Sequence, residues 1–156
     1  MDVTLRVKRF DPEAADPAPF WQDFTVAIED NGTVLDALIK VREELDGGLS
    51  LRCSCRSSIC GSCAMRINGH AGLACKTQAV PAIKDDVITV EPAGNMPVVK
   101  ELVVNFDGFW DKIMEIEPYL KPEGLEPEAE YIASNESKLH LSAATSCIRC
   151  GSCVSE

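Results

Sequence analysis

Two stretches of period-two alternation, a capped helical segment and a loop crowded with cysteines follow one another in the first half of the chain. That order predicts an α+β fold that opens with a β-grasp sheet. A break from Pro92 to Pro97 (Pro-Ala-Gly-Asn-Met-Pro) then ends the pattern, and the residues after it read as helical. The expected organisation is a β-grasp domain over residues 1–97 and the start of an α-helical domain over residues 98–156.

Each element has its own signal. Val3 to Phe10 alternates apolar and polar side chains, as a half-buried strand does. Asp11 to Pro19 holds three prolines and reads as a loop, and Phe20 to Ile28 resumes the alternation, so a hairpin with a long connection is expected. Asn31-Gly32 turns the chain. Thr33 is placed to cap a helix with Asp36 as the capping-box acid, and Val34, Leu35, Leu38, Ile39, Val41 and Leu45 follow at mostly helical spacing until Gly47-Gly48. Ala64 to Ile67 reads as a strand entering a turn at Asn68-Gly69, and Asp85 to Glu91 as a later strand of the same sheet. Past the break, helices are expected around Lys100–Val104, over Phe106–Glu117 and over Ser137–Thr145. Phe106, Phe109, Trp110, Ile113 and Ile116 trace one face of the second. Pro118, Pro122 and Pro127 punctuate an acidic, linker-like stretch.

Composition excludes several classes. A formal net charge of −10, with 25 acidic against 15 basic residues, argues against nucleic-acid binding. The N-terminal residues lack the basic and apolar regions of a signal peptide. No apolar stretch approaches the ~20 residues that cross a bilayer, so membrane association is expected only through a partner.

Eight cysteines carry the chemistry. Cys55-x4-Cys60-x2-Cys63, followed by Cys75, has the plant-type [2Fe–2S] spacing. Cys147-x2-Cys150-x2-Cys153 has the spacing that begins a bacterial [4Fe–4S] run. A cluster needs backbone N–H groups aimed at its sulfurs and a backbone able to approach closely. The small residues of the first loop allow both, with Gly61 the expected point of closest approach and Ser57, Ser58 and Ser62 as further donors. Cys53 fits no x4 interval and reads as a small buried thiol. A four-cysteine zinc site usually uses two C-x2-C knuckles, and the first group has one. In the second group a three-thiolate [3Fe–4S] cluster stays open. Val154-Ser155-Glu156 fills the x3 interval after Cys153 and the sequence then ends, so the expectation is a piece of a longer protein that supplies the fourth ligand.

These residues resemble the iron–sulfur subunit of succinate dehydrogenase and fumarate reductase. Ser54-Cys55-Arg56-x-x-Ile59-Cys60-Gly61-Ser62-Cys63-Ala64-Met65 is similar to that family's [2Fe–2S] loop, and Asn68-Gly69-x-x-Gly72-Leu73-Ala74-Cys75 to its closing segment. Val99 to Asn105, with Pro118 to Pro122, resembles its connection into the helical domain, and Ser146-Cys147-Ile148-x-Cys150-Gly151-x-Cys153 its [4Fe–4S] entry. Ser57-Ser58 stands where many members carry Glu-Gly, and Cys53 is extra to the pattern. The resemblance implies an electron-transfer subunit with no catalytic residue of its own. It would pass electrons from the FAD of a succinate-oxidising flavoprotein subunit through [2Fe–2S], [4Fe–4S] and, in residues beyond this chain, [3Fe–4S] to quinone at membrane anchor subunits. It implies a peripheral position on the cytoplasmic face of a bacterial inner membrane. Quinol:fumarate reductase and a soluble ferredoxin-type carrier are the alternative readings. Arg52, Arg56 and Arg149 are candidates to offset cluster charge or to contact the partner.

Overall fold

The structure is a computed structural model and describes residues 1–119, 124, 128–130 and 132–156. Strand β1 (Asp2–Arg9) and strand β2 (Phe20–Ala27) form the expected antiparallel hairpin, in register from Asp2 opposite Ala27 to Arg9 opposite Phe20. Val3, Leu5 and Val7 point into the core while their neighbours do not, which is the burial that alternation predicts. Helix α1 (Val34–Lys40) starts at a reciprocal capping box. The Asp36 amide donates to Thr33 Oγ1 at 3.2 Å, and the Thr33 amide donates to Asp36 Oδ2 at 2.9 Å. The helix widens into a π-helical turn over Val41–Leu45, closed by the Asp46 amide on the Val41 carbonyl at 2.8 Å.

Strands β3 (Ala64–Ile67) and β4 (His70–Leu73) make the hairpin at Asn68-Gly69, where both turn residues have positive φ. A four-residue helix α2 (Ala79–Ala82) leads to β5 (Val87–Glu91), which lies parallel to β1 and antiparallel to β3. The sheet order is therefore β2-β1-β5-β3-β4, with α1 packed across it. Leu5, Leu35, Leu38, Leu49 and Ile88 are fully buried there, each contributing about 1.5–3 kcal/mol.

The segment Lys100–Val104, expected as a helix, is instead a hairpin of β6 (Val98–Lys100) and β7 (Val103–Val104). Val98, Val99, Val103 and Val104 are β-branched and favour strands. Between them Glu101 takes φ +54° and turns its carboxylate onto Arg9. That pair is buried and bidentate, Arg9 Nε to Glu101 Oε2 at 2.7 Å and Nη2 to Oε1 at 2.8 Å. The same guanidinium also binds Gln22 and Asp46, joining β1, β2, the π-helical turn and the hairpin.

Helix α3 (Asp107–Glu115) matches expectation closely, and the Asp107 amide donates to Asn105 Oδ1 at 2.7 Å at its start. Its expected apolar face is not covered: Phe109 and Ile113 are half-buried, and Trp110 and Ile116 are exposed. Helix α4 (Asn135–Thr145) contains the helix expected there, and α5 (Ser152–Ser155) ends the chain's second cysteine group. Pro122 and Pro127 of the linker-like stretch, and Leu120 to Pro122 of the family-like connection, lie outside the described residues.

Candidate metal centre

Residues 53–63 run as a loop from Leu51, which packs on the core, to β3, while Cys75 follows β4. Arg56, Ser58 and Gly61 have positive φ, at 54°, 58° and 74°, so the backbone curls and several N–H groups converge. The amides of Ser57, Ile59 and Cys60 all donate to Cys55 Sγ, at 3.3, 3.4 and 3.3 Å. The Cys55 amide donates to Cys60 Sγ at 3.5 Å, and the Cys75 amide to Cys63 Sγ at 3.5 Å. The thiols thus associate two by two: Cys55 with Cys60, and Cys63 with Cys75.

All eight cysteines are free thiols. Among the described residues no three Cys, His, Asp or Glu side chains gather closely enough to hold one metal ion. A binuclear cluster asks for a different arrangement, two thiolates on each iron, and the two pairs suit it better than they suit a single zinc. The donor chemistry also fits, because amides aimed at Sγ atoms stabilise thiolate charge.

The pairs differ in environment. Cys60 is exposed, and its hydrogen bond with Ser62 Oγ at 2.8 Å, followed by the Cys55 amide contact, lowers its pKa to about 6. Cys63 is buried, and loss of water around it raises its pKa to about 11. Of the three serines, Ser62 and Ser58 have hydroxyls near sulfur, the latter 3.8 Å from Cys75 Sγ. The Ser57 hydroxyl donates instead to the Cys55 carbonyl at 3.1 Å, leaving only its amide for sulfur. Cys53 is half-buried against the hydrophobic core.

The second cysteine group lies directly on the first. A Cβ placed on Gly61 would sit 2.8 Å from Cys150 Cβ and 2.9 Å from Cys150 Cα, closer than side chains pack. Gly61 is therefore a point of close approach, but its neighbour is the backbone of the other cysteine loop, whereas the expectation concerned approach to a cluster. Cys150 is half-buried, while Cys147 and Cys153 are exposed. A latch holds this arrangement. Ser155 is 1% exposed and its Oγ accepts from the Gly94 amide at 2.7 Å; Asn95 Nδ2 donates to the Val154 carbonyl at 2.7 Å. The Glu156 carboxylate accepts from the Ala71 amide at 2.8 Å and sits 3.3 Å from His70 Nδ1, which holds its pKa below the usual carboxylate range. The sequence reading missed these receiving residues. Gly94-Asn95 signals a turn, but nothing local in it points to a partner some sixty residues away.

Known proteins share this arrangement of elements. The model of the 2Fe-2S iron-sulfur cluster binding domain matches residues 4–111. The chain is 37% identical over 153 residues to succinate dehydrogenase [ubiquinone] iron-sulfur subunit 1, mitochondrial, of Oryza sativa subsp. japonica, covering 96% of this chain and 54% of that protein. It superposes on a chain of the Mycobacterium smegmatis Sdh1 complex in the apo form with TM-score 0.87 and 30% identity, over 99% of this chain and 62% of that one. A crystal structure of a hypothetical protein from Helicobacter pylori shares the fold alone, with TM-score 0.51 and 17% identity over 77% of this chain and 22% of the other. The chain thus spans about half the length of the rice relative.

Proposed function

This chain belongs to the 2Fe-2S iron-sulfur cluster binding domain family, and from that premise we propose that it is part of the electron-transfer subunit of a succinate:quinone oxidoreductase. Cys55, Cys60, Cys63 and Cys75 would hold a [2Fe–2S] cluster, and Cys147, Cys150 and Cys153 would give three ligands to a [4Fe–4S] cluster. A [3Fe–4S] cluster would belong to residues beyond this chain. When bound, clusters of this kind supply one-electron transfer without proton chemistry. The partners we infer are a flavoprotein subunit that oxidises succinate at FAD and anchor subunits that bind quinone in the membrane. Among the described residues no helix is long and apolar enough to cross a membrane. We place the subunit peripherally, on the cytoplasmic face of a bacterial inner membrane.

This chain's residues do three things for such a relay. The amides of Ser57, Ile59 and Cys60 offset negative charge at Cys55 Sγ, which favours the reduced state and raises the potential. Burial of Cys63 and Cys75 keeps water from half of the site. Gly61, lacking a Cβ, lets the Cys150 loop touch the first loop. That contact is the observation that carries the reading, since a carrier with one cluster has no use for a second cysteine group seated on the first. Adding succinate to the chain purified with its flavoprotein should reduce the [2Fe–2S] cluster and make its EPR signal appear, whereas the chain alone should not respond. No reduction in the complex would sink the proposal.

A further inference from the structure

Ser58 combines a strained backbone with a hydroxyl close to sulfur. Its φ is +58°, in the left-handed region that a serine enters at a cost and a glycine would enter freely. Its side chain is half-buried, and the hydroxyl lies 3.8 Å from Cys75 Sγ, within hydrogen-bonding reach of a sulfur. Strain of this kind persists where the residue that carries it has work to do.

The four thiols of the first group are unequally supplied with donors. Cys55 Sγ accepts from three amides and Cys63 Sγ from one, and Cys60 Sγ has the Cys55 amide and the Ser62 hydroxyl. Among the described residues Cys75 Sγ has the Ser58 hydroxyl alone. The amides nearest to it in sequence are committed elsewhere. Ala74 donates to the Cys63 carbonyl, Cys75 to Cys63 Sγ, and Lys76 and Thr77 to the Leu73 carbonyl. Water replaces a lost donor at the exposed Cys60, whereas Cys75 is only 9% exposed and has no such substitute.

We propose that Ser58 is a positioning residue of the first cluster site, whose hydroxyl donates to the Cys75 thiolate and raises the reduction potential of the cluster. A thiolate carries no proton, so with iron bound the hydroxyl is the donor. Reduction adds negative charge, and a donor to a ligand sulfur stabilises that charge. Shielding from water at Cys75 strengthens the effect. The left-handed backbone is what brings the hydroxyl to the sulfur. The proposal rests on the [2Fe–2S] reading above and adds to it the side chain that tunes the buried end of the site.

The test is a redox titration of the cluster-loaded full chain followed by EPR, with resonance Raman spectra of the iron–cysteine stretches. Ser58→Ala removes the hydroxyl and keeps the strain, whereas Ser58→Gly removes both. Each should lower the equilibrium constant for one-electron reduction by about threefold to tenfold, which is about 30–60 mV. Each should also move iron–cysteine stretches to higher frequency, because the freed sulfur gives more density to iron. Ser58→Gly should unfold at a higher temperature than Ser58→Ala and yet show the same fallen potential, which separates tuning from stability. Ser54→Ala, exposed in the same loop and without a sulfur contact among the described residues, should leave the constant within about twofold. Unchanged potentials in both Ser58 variants overturn the proposal, and so does an equal shift in Ser54→Ala. A fall in Ser58→Ala that is absent from Ser58→Gly also overturns it, by assigning the effect to backbone strain. A wild-type chain with no [2Fe–2S] signal overturns the cluster reading together with this one, whereas an intact signal with unmoved potentials overturns this one alone.

Discussion

Replacing Gly61 by alanine tests the seating of one cysteine loop on the other. Two costs arise at this position. With φ at +74°, an L-residue sits in the left-handed region at a cost of about 1–2 kcal/mol. The new Cβ would also lie 2.8 Å from Cys150 Cβ and 2.9 Å from its Cα, an overlap with backbone that no rotamer relieves, and overpacking of this kind costs about 1–3 kcal/mol more. Gly69 supplies the control. Its φ is +82°, but nothing lies within 4 Å of its Cβ position, so Gly69→Ala carries the conformational cost alone. The excess at Gly61 should lower the unfolding midpoint by about 2–4 °C for each kcal/mol, measured by circular dichroism at matched cluster content. Alkylation of Cys150 in the metal-free chain should also become faster in Gly61→Ala and stay unchanged in Gly69→Ala. Equal midpoints and equal alkylation rates for the two variants would refute the contact.

Other expectations follow from the same geometry. Arg9→Met strands the buried Glu101 carboxylate and should cost about 3–5 kcal/mol in denaturant unfolding, whereas Arg6→Met, at the exposed pair with Asp23, should barely move the midpoint. Asp46 is held below the usual carboxylate range, first by the Arg9 hydrogen bond and then by the Gly48 amide. Its folded pKa is depressed, so its stabilisation is complete above the ordinary carboxylate pKa and is lost as pH falls through the lowered value. Asp46→Asn should flatten that part of a stability–pH profile. Ser155→Ala removes the acceptor of the Gly94 amide, worth about 1 kcal/mol, and should speed hydrogen exchange at Gly94 while leaving the Leu5 amide in the interior strand β1 protected.

What the sequence reveals here follows the range of each interaction. The alternation of β1 and β2, the Thr33–Asp36 capping box and the Asn68-Gly69 turn are local, and each stands where its residues predict. The cysteine spacing is local too, and the domain it points to is the one whose family model matches residues 4–111. Residues 100–104 misled because the apolar spacing of Leu102 to Val104 allows a helix. The outcome is decided by Glu101, whose partner Arg9 lies 92 residues away. Helix α2 escaped notice because four residues that include Pro81 have no periodicity to read. The contact of Cys150 with Gly61 and the latch from Ser155 to Gly94 are likewise long-range. A glycine between two cysteines predicts close approach, but not what approaches.

EPR of the dithionite-reduced protein, read beside iron and acid-labile sulfide analysis, tests the ligand set of the first cluster. Iron and sulfide should be present in equal amounts, with a [2Fe–2S] signal that survives Cys53→Ser and serine substitution of Cys147, Cys150 and Cys153. The same signal should be lost or grossly altered in Cys60→Ser and Cys63→Ser. Zinc in place of iron, or a signal that disappears with Cys53, would contradict it.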